Sequence, residues 1–409
     1  MRVNRRKFLA GTAAIAGAAA FPMPSIAQGT SLKIGLLTVK TGPLAAGGIQ
    51  MEGGVVTFLK QRNYTIAGRK VDFISADTGG NPAGAKVKAQ ELIERDQVDL
   101  ILGPLASFEL LAISEYVADH KIPMLSLAAA EDITQRKPNP YFVRASATSS
   151  QAMKPLADYA AKELKLKKVI TIVEDFAFGY EQMGGFQQVF EDDGGRVLKK
   201  IWTPIVTPDY TPYLAQISGV DAVIQGFAGS NPVKFMKQYA DQGLKFPVLT
   251  GETGGDDAEL HSFGDEAIGM ISACPYTIDF ENETNKRFIA DFQKQVGNLP
   301  GFYAAGLYVN CQVVEAALKT TGGKTADKTA FVKAMRASHL TDTPRGPVRF
   351  DDKGNVIGNI FIRKIVKENG KLWQKTLKTY TNIGQFWPFD EKKFLAQPVY
   401  SRDFPPLKS

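Results

Sequence analysis

The sequence predicts an α/β fold of two doubly wound, parallel-sheet lobes joined by a multi-strand hinge. Three observations carry this. Short β-branched runs alternate with amphipathic segments of about 10–15 residues, the spacing of right-handed βαβ units. The alternation pauses near residue 144 and restarts at residue 169. The last third then places helices in a row before strands, which does not make a third independent unit. In the first unit, Lys33 to Val39, Val71 to Ala76, Val98 to Leu102 and Pro123 to Leu127 read as strands. Val55 to Arg62, Ala83 to Arg95 and Phe108 to Asp119 read as the helices between them, and Tyr141 to Arg144 is a short extended piece. In the second unit, Val169 to Val173, Val197 to Trp202, Ala222 to Gln225 and Val248 to Thr250 are strands. Tyr180 to Asp192, Tyr210 to Ile217 and Pro232 to Gln242 are its helices. Asn285 to Val296, Tyr303 to Thr320 and Lys328 to Ala337 follow as helices, then Val348 to Asp351 and Gly358 to Val366 as strands around the turn Asp352-Lys353-Gly354-Asn355. These late elements complete the two lobes, so the chain crosses between them more than once, which makes a hinge.

The first 27 residues have their own chemistry. Asn4-Arg5-Arg6-Lys7 precedes an apolar, Ala- and Gly-rich stretch from Phe8 to Phe21, and Ser25-Ile26-Ala27 supplies small residues for cleavage. This is the layout of a twin-arginine export signal, and it is shorter than the about 20 apolar residues a membrane span needs. Cleavage near Ala27 would release the protein into the periplasm. It would also remove Arg2, Arg5, Arg6 and Lys7 with no acid, taking the formal charge from +7 to +3. That balance is too weak to favour nucleic acid as a partner. Cys274 and Cys311 are the two cysteines, read as separate buried thiols, with a single bridge as the alternative. His120, His261 and His339 stand apart, so no metal site is expected. Gly322-Gly323-Lys324-Thr325 lacks the rest of a phosphate loop and reads as a helix end. Glu174-Asp175 and Asp256-Asp257 read as solvated loop ends or helix caps rather than acid–base pairs. No cofactor and no enzymatic activity is expected.

The informative residues follow the first-unit strands. Thr41-Gly42-Pro43 with Ala45-Ala46-Gly47-Gly48, Gly103-Pro104-Leu105-Ala106-Ser107, and Ser126-Leu127-Ala128-Ala129-Ala130 are small-residue loops leading into helices or bends. Ligands of open parallel sheets bind outside the carboxyl ends of strands, and a helix start offers free N–H groups to a carboxylate. Ser107 is the best donor for such a group.

Here the chain resembles the leucine/isoleucine/valine-binding proteins of ABC importers, with the type I periplasmic-binding fold. The resemblance spans nearly the whole mature chain. It rests on Ile34-Gly35 with Thr41-Gly42-Pro43, Asp77 with Asn81-Pro82, Gly103-Pro104 with Ser107, and Ile122-Pro123. Phe142-Val143-Arg144, Phe178-Gly179 and Gly346-Pro347-Val348-Arg349-Phe350-Asp351 add to it. It implies lobe one from 31 to 147 plus 275 to 352, lobe two from 148 to 274 plus 353 to 380, and a tail from 381 to 409. It also implies a ligand carboxylate on Ser107, a backbone contact at Ala128, and Ala130 where a hydroxyl residue usually stands. Phe178 and Phe227 become aromatic walls, Glu252 or Thr253 faces a ligand ammonium, and Gly47 and Tyr276 complete the set. Ala130 and Phe178 lack the usual hydroxyls, which favours a hydrophobic or aromatic acid over a branched-chain amino acid. The implied partners are a small-molecule carboxylate and an inner-membrane ABC permease, with the protein acting as a monomer. A sensory module using the same cleft is the alternative role.

Overall fold

The computed structural model describes residues 31–408; the expected export signal lies outside the described residues. The first sheet has the order β2-β3-β1-β4-β5-β6, built from β1 (Leu32–Thr38), β2 (Thr65–Ile66), β3 (Arg69–Asp77), β4 (Leu100–Leu102), β5 (Met124–Leu125) and β6 (Phe142–Val143). All its pairings are parallel except the β2–β3 hairpin. α1 (Ala45–Lys60), α2 (Pro82–Gln90, continued by one wide turn to Arg95) and α3 (Ser107–Asp119) connect them. Local chemistry explains the starts. Asn81 accepts the Gly84 N–H at 2.8 Å and Pro82 opens α2, a standard N-terminal cap. β1 is apolar and almost wholly buried because helices cover both faces of the sheet.

The second sheet runs β12-β13-β11-β10-β9-β7-β8, with β14 added beside β13. Its strands are β7 (Lys168–Glu174), β8 (Arg196–Thr203), β9 (Ala222–Gly226), β10 (Val248–Thr250), β11 (Ile271–Cys274), β12 (Val348–Phe350), β13 (Val356–Glu368) and β14 (Lys371–Ile383). β7 to β11 pair in parallel; β13 runs antiparallel to each of its neighbours. α4 (Ser149–Lys162), α5 (Ala177–Asp192), the single turn α6 (Thr211–Leu214) and α7 (Asn231–Asp241) belong to this lobe. α8 (Glu283–Val296), α9 (Phe302–Thr320) and α10 (Lys328–Arg336) return to the first lobe, with α8 and α9 against α1 and α10 beside β6.

Several elements differ from expectation. α4 was not anticipated: Pro155 sits inside it and its buried face carries Gln151 and Lys154, which obscures the apolar stripe that marks a helix. The helix expected from Tyr210 to Ile217 is one turn. Residues 348–350, grouped from the sequence with the first lobe, hydrogen-bond to β13 in the second sheet. Cys274 and Cys311 are both buried and free, and burial pushes both thiols up to about 12.

The chain passes between the sheets after β6, after β11, and between α10 and β12. A buried arginine holds each passage. Arg144 donates to the carbonyls of Ala128 and Ala130 and to Asn355 Oδ1. Arg363 donates to the Tyr276 carbonyl at 2.8 Å and to Asp257 at 2.5 Å. Arg345 donates to the Ala145 and Ser146 carbonyls at 2.8 and 2.6 Å. Burial draws Arg144 and Arg345 down to about 10, still cationic at neutral pH. Each charge is compensated by several acceptors rather than water, the condition for keeping a buried cation. The tail beyond Gly384 packs on both lobes. Tyr400 lies against Gly184 of α5 and donates to Gln188, while Arg136 donates to the Phe394 and Gln397 carbonyls.

Candidate functional site

A partly open cavity of about 30 Å³ lies where the carboxyl ends of both sheets face each other. From the first lobe it is lined by Leu44 after β1, Leu105, Ala106 and Ser107 after β4, and Leu127 and Ala129 after β5. From the second it takes Phe176 and Phe178 after β7, Ala228 after β9, and Glu252 and Thr253 after β10. Phe302 and Tyr303 in the first turn of α9 complete it. Every wall segment but the last follows a parallel strand, which is where doubly wound sheets bind ligands.

The backbone turn before α3 needs Gly103, whose φ is +85° and whose Cβ would approach the Leu37 carbonyl oxygen to 2.1 Å. That turn brings Ser107 to the first position of α3, beside N–H groups with no helical acceptor. Glu109 in the same turn is held inside the protein. It is buried, accepts the Ala106 N–H at 3.0 Å and the Thr78 hydroxyl at 2.5 Å, and burial raises its pKa. Among the described residues the Ser107 hydroxyl has no hydrogen-bond partner. The aromatic wall is a packed series: Phe108 meets Phe176 edge-on at 5.6 Å, and Phe176 stacks on Phe178 at 5.8 Å.

Glu252 is buried, with Gln182 Nε2 on its carboxyl at 3.4 Å. Burial is the largest influence on it and pushes its pKa up to about 8, against the distant pull of Arg363. Thr253 donates to the Phe227 carbonyl at 2.7 Å, so its hydroxyl proton is already committed. Tyr303 is buried too, and its ring passes Gly47, where a Cβ would come within 2.9 Å of the ring carbon that carries the hydroxyl.

Of the residues expected from the sequence, Ser107, Phe178, Glu252 and Thr253 meet at this cavity, with Gly47 directly behind its wall. Ala128 and Ala130 do not line it; they pack under the first sheet, and their carbonyls accept from Arg144. The Ala128 N–H is taken by Ser126 Oγ at 2.8 Å, so no backbone donor is left there for a ligand. Phe227 is turned into the second-lobe core against Tyr210 and Phe235, at 5.2 and 4.9 Å. Tyr276 is buried away from the cavity, donating to Asn285. Three of the four paired acids are buried, and Asp175 is partly exposed beside Arg402. Glu174 accepts from Asn231 at 2.7 Å, Asp257 pairs with Arg363, and Asp256 accepts the Phe302 N–H at 2.8 Å. Asp256 therefore caps α9, across the cleft. Among the described residues, no group of three metal-ligating side chains occurs, and no helix is long and apolar enough to cross a membrane.

The family model for periplasmic binding proteins matches residues 31–371. The chain belongs to that family. This periplasmic binding protein has the two-lobed type I fold and is a substrate-binding protein of an ABC transporter. It is similar to an ABC-transporter solute-binding protein from Rhodopseudomonas palustris BisB5 solved in complex with 3,4-dihydroxybenzoic acid. The two share 33% identity and a TM-score of 0.83, over 87% of this chain and 98% of that one. A second R. palustris solute-binding protein, solved with 4-hydroxybenzoate, has 29% identity and a TM-score of 0.82, over 87% and 98%. A Leu/Ile/Val-binding protein homolog from Brucella suis biovar 1 is 28% identical over 372 residues, 88% of this chain and 94% of that protein.

Proposed function

We propose that this periplasmic binding protein takes up a small aromatic or hydrophobic carboxylate and delivers it to an inner-membrane ABC permease. In this reading it acts as a monomer, after export through the twin-arginine route and cleavage near Ala27, with no catalysis, cofactor or metal. The observation that carries it is one cavity combining the Phe176–Phe178 wall with a helix start and a Ser107 hydroxyl that has no partner among the described residues. An apolar ring desolvates against the wall while its carboxylate meets the N-terminus of α3. The R. palustris proteins solved with hydroxylated benzoic acids support it.

A branched-chain amino acid is the second reading, favoured by Glu252 at the cavity and by the names of the curated relatives. That ligand must place an ammonium beside a carboxyl whose burial favours the neutral form. A thermal-shift screen of benzoates, aliphatic acids and amino acids separates the readings. A ligand at 100 times its Kd stabilises the folded state by about 2.7 kcal/mol. Stabilisation by leucine or valine alone would overturn the carboxylate reading.

A further inference from the structure

Glu252 and Tyr303 add two polar groups to the cavity that Ser107 also lines. Glu252 comes from the second lobe and Tyr303 from the first turn of α9. Among the described residues the Tyr303 hydroxyl makes no hydrogen bond, although the residue is 5% exposed. A buried phenol normally finds a partner. The absence of a side chain at Gly47 leaves room for the hydroxyl-bearing edge of that ring. No lysine or arginine forms an ion pair with Glu252 among the described residues, and Gln182 at 3.4 Å is a long contact. The cavity thus holds a phenol with no partner among the described residues and a carboxyl with one long side-chain contact, next to a flat aromatic wall.

We propose that the Tyr303 hydroxyl and the Glu252 carboxyl together recognise a ligand hydroxyl, so that the preferred substrate is a ring carboxylate bearing a hydroxyl group. This rests on the reading of the cavity as a carboxylate site. A ligand O–H can donate to one of the two groups and accept from the other. An unsubstituted ring leaves both buried and unsatisfied. Sites built to hydrogen-bond a substrate hydroxyl discriminate strongly against the analogue that lacks it, because the site's own polar groups are stranded.

The protonation of Glu252 fits the same role. The charged group acting on it is Arg363 on β13, which favours the carboxylate, while the acids Asp256, Glu174 and Glu259, like Glu252 itself, act on Tyr303. Burial pushes Glu252 up to about 8, Glu174 to about 7 and Asp256 to about 6. Below pH 8 Glu252 is neutral and does not repel a ligand carboxylate. As pH rises through 8 it ionises, and affinity for an anionic ligand falls. An ammonium ligand has the opposite dependence, because it gains its counter-ion over the same interval and releases a proton on binding.

Calorimetry on the mature protein with benzoate, 4-hydroxybenzoate and leucine, between pH 6 and 9, tests this. The expected result is about tenfold preference for 4-hydroxybenzoate over benzoate, with affinity declining above pH 8. Tyr303→Phe should bring the ratio of the two affinities close to one, and Glu252→Gln should remove the decline centred near pH 8. Equal affinity for the two benzoates, unchanged by Tyr303→Phe, would overturn this inference and leave the carboxylate reading standing. Leucine binding that tightens with pH, with neither benzoate bound, would overturn that reading itself.

Discussion

Asp256 offers a test of how closure sets affinity. Its carboxylate belongs to the second lobe and accepts the Phe302 N–H, the first amide of α9 in the first lobe, at 2.8 Å. Other hydrogen bonds also cross between the lobes, from Ser230 N–H to the Pro43 carbonyl at 3.3 Å, from Glu131 N–H to Glu181 at 3.1 Å, and from Ser150 to the Glu131 carboxylate. The neighbouring amide, Gly301 N–H, is satisfied within its own lobe by Gln50. Asp256→Ala therefore removes one helix cap that exists while the lobes are together. Loss of such a cap costs about 1–2 kcal/mol. Charged wholly to the closed form, that is a drop of about 5–30-fold in ligand affinity, from a residue that does not line the cavity. Asp256→Asn should recover most of the loss, since asparagine caps about as well as aspartate. Calorimetry with a ligand found by thermal shift gives the affinity, and small-angle scattering gives the fraction closed at saturation. An affinity within twofold of wild type, together with a lowered melting temperature without ligand, would refute the reasoning. It would mean that the α9 start and the 251–256 loop stay together in both forms.

Two further outcomes are expected. Ser107→Ala should weaken carboxylate binding by about 1.5–3 kcal/mol, the range for a hydrogen bond to a charged group, read by calorimetry with benzoate. The loss should be similar for any carboxylate, because the contact is to the anion and not to the ring. Changing Arg5 and Arg6 together to lysine should leave uncleaved precursor inside the cell, seen by immunoblot of periplasmic and cytoplasmic fractions; normal periplasmic accumulation would refute the twin-arginine route.

Most of the fold was legible because its strands are short, apolar and spaced by amphipathic helices. β1, β7 and β9 each appear in the sequence as a β-branched or leucine-rich run, and each is buried on both faces. α4 was illegible for a physical reason. Gln151 donates to the carbonyls of Val356 and Ile383, and Lys154 donates to that of Gln385, so polar side chains fill a face that would otherwise be apolar. Their partners lie more than 200 positions away, and no local window contains them.

The same non-locality limits how far a binding site can be read from a chain like this one. Extended backbone after β5 alternates faces, putting Leu127 and Ala129 at the cavity and Ala128 and Ala130 beneath the sheet. Three consecutive alanines carry no mark of which face is which, so the sequence alone could not tell which of them would face the cavity. Glu174, Asp256 and Asp257 look like surface acids until Asn231, Phe302 and Arg363 are brought to them from 57, 46 and 106 positions away. Tyr303 is the clearest case. Gly301-Phe302-Tyr303-Ala304 has the composition of any buried helix start. What distinguishes the tyrosine is a hydroxyl left without a partner among the described residues, and that exists only once α1 has placed Gly47 beside its ring and β10 has placed Glu252 at the same cavity. Ser107 could be read because a strand, a glycine turn and a helix start are adjacent in sequence. Of the two groups proposed to decide which carboxylate binds, Glu252 was expected from the sequence and Tyr303 was not, because its place at the cavity is assembled from both lobes.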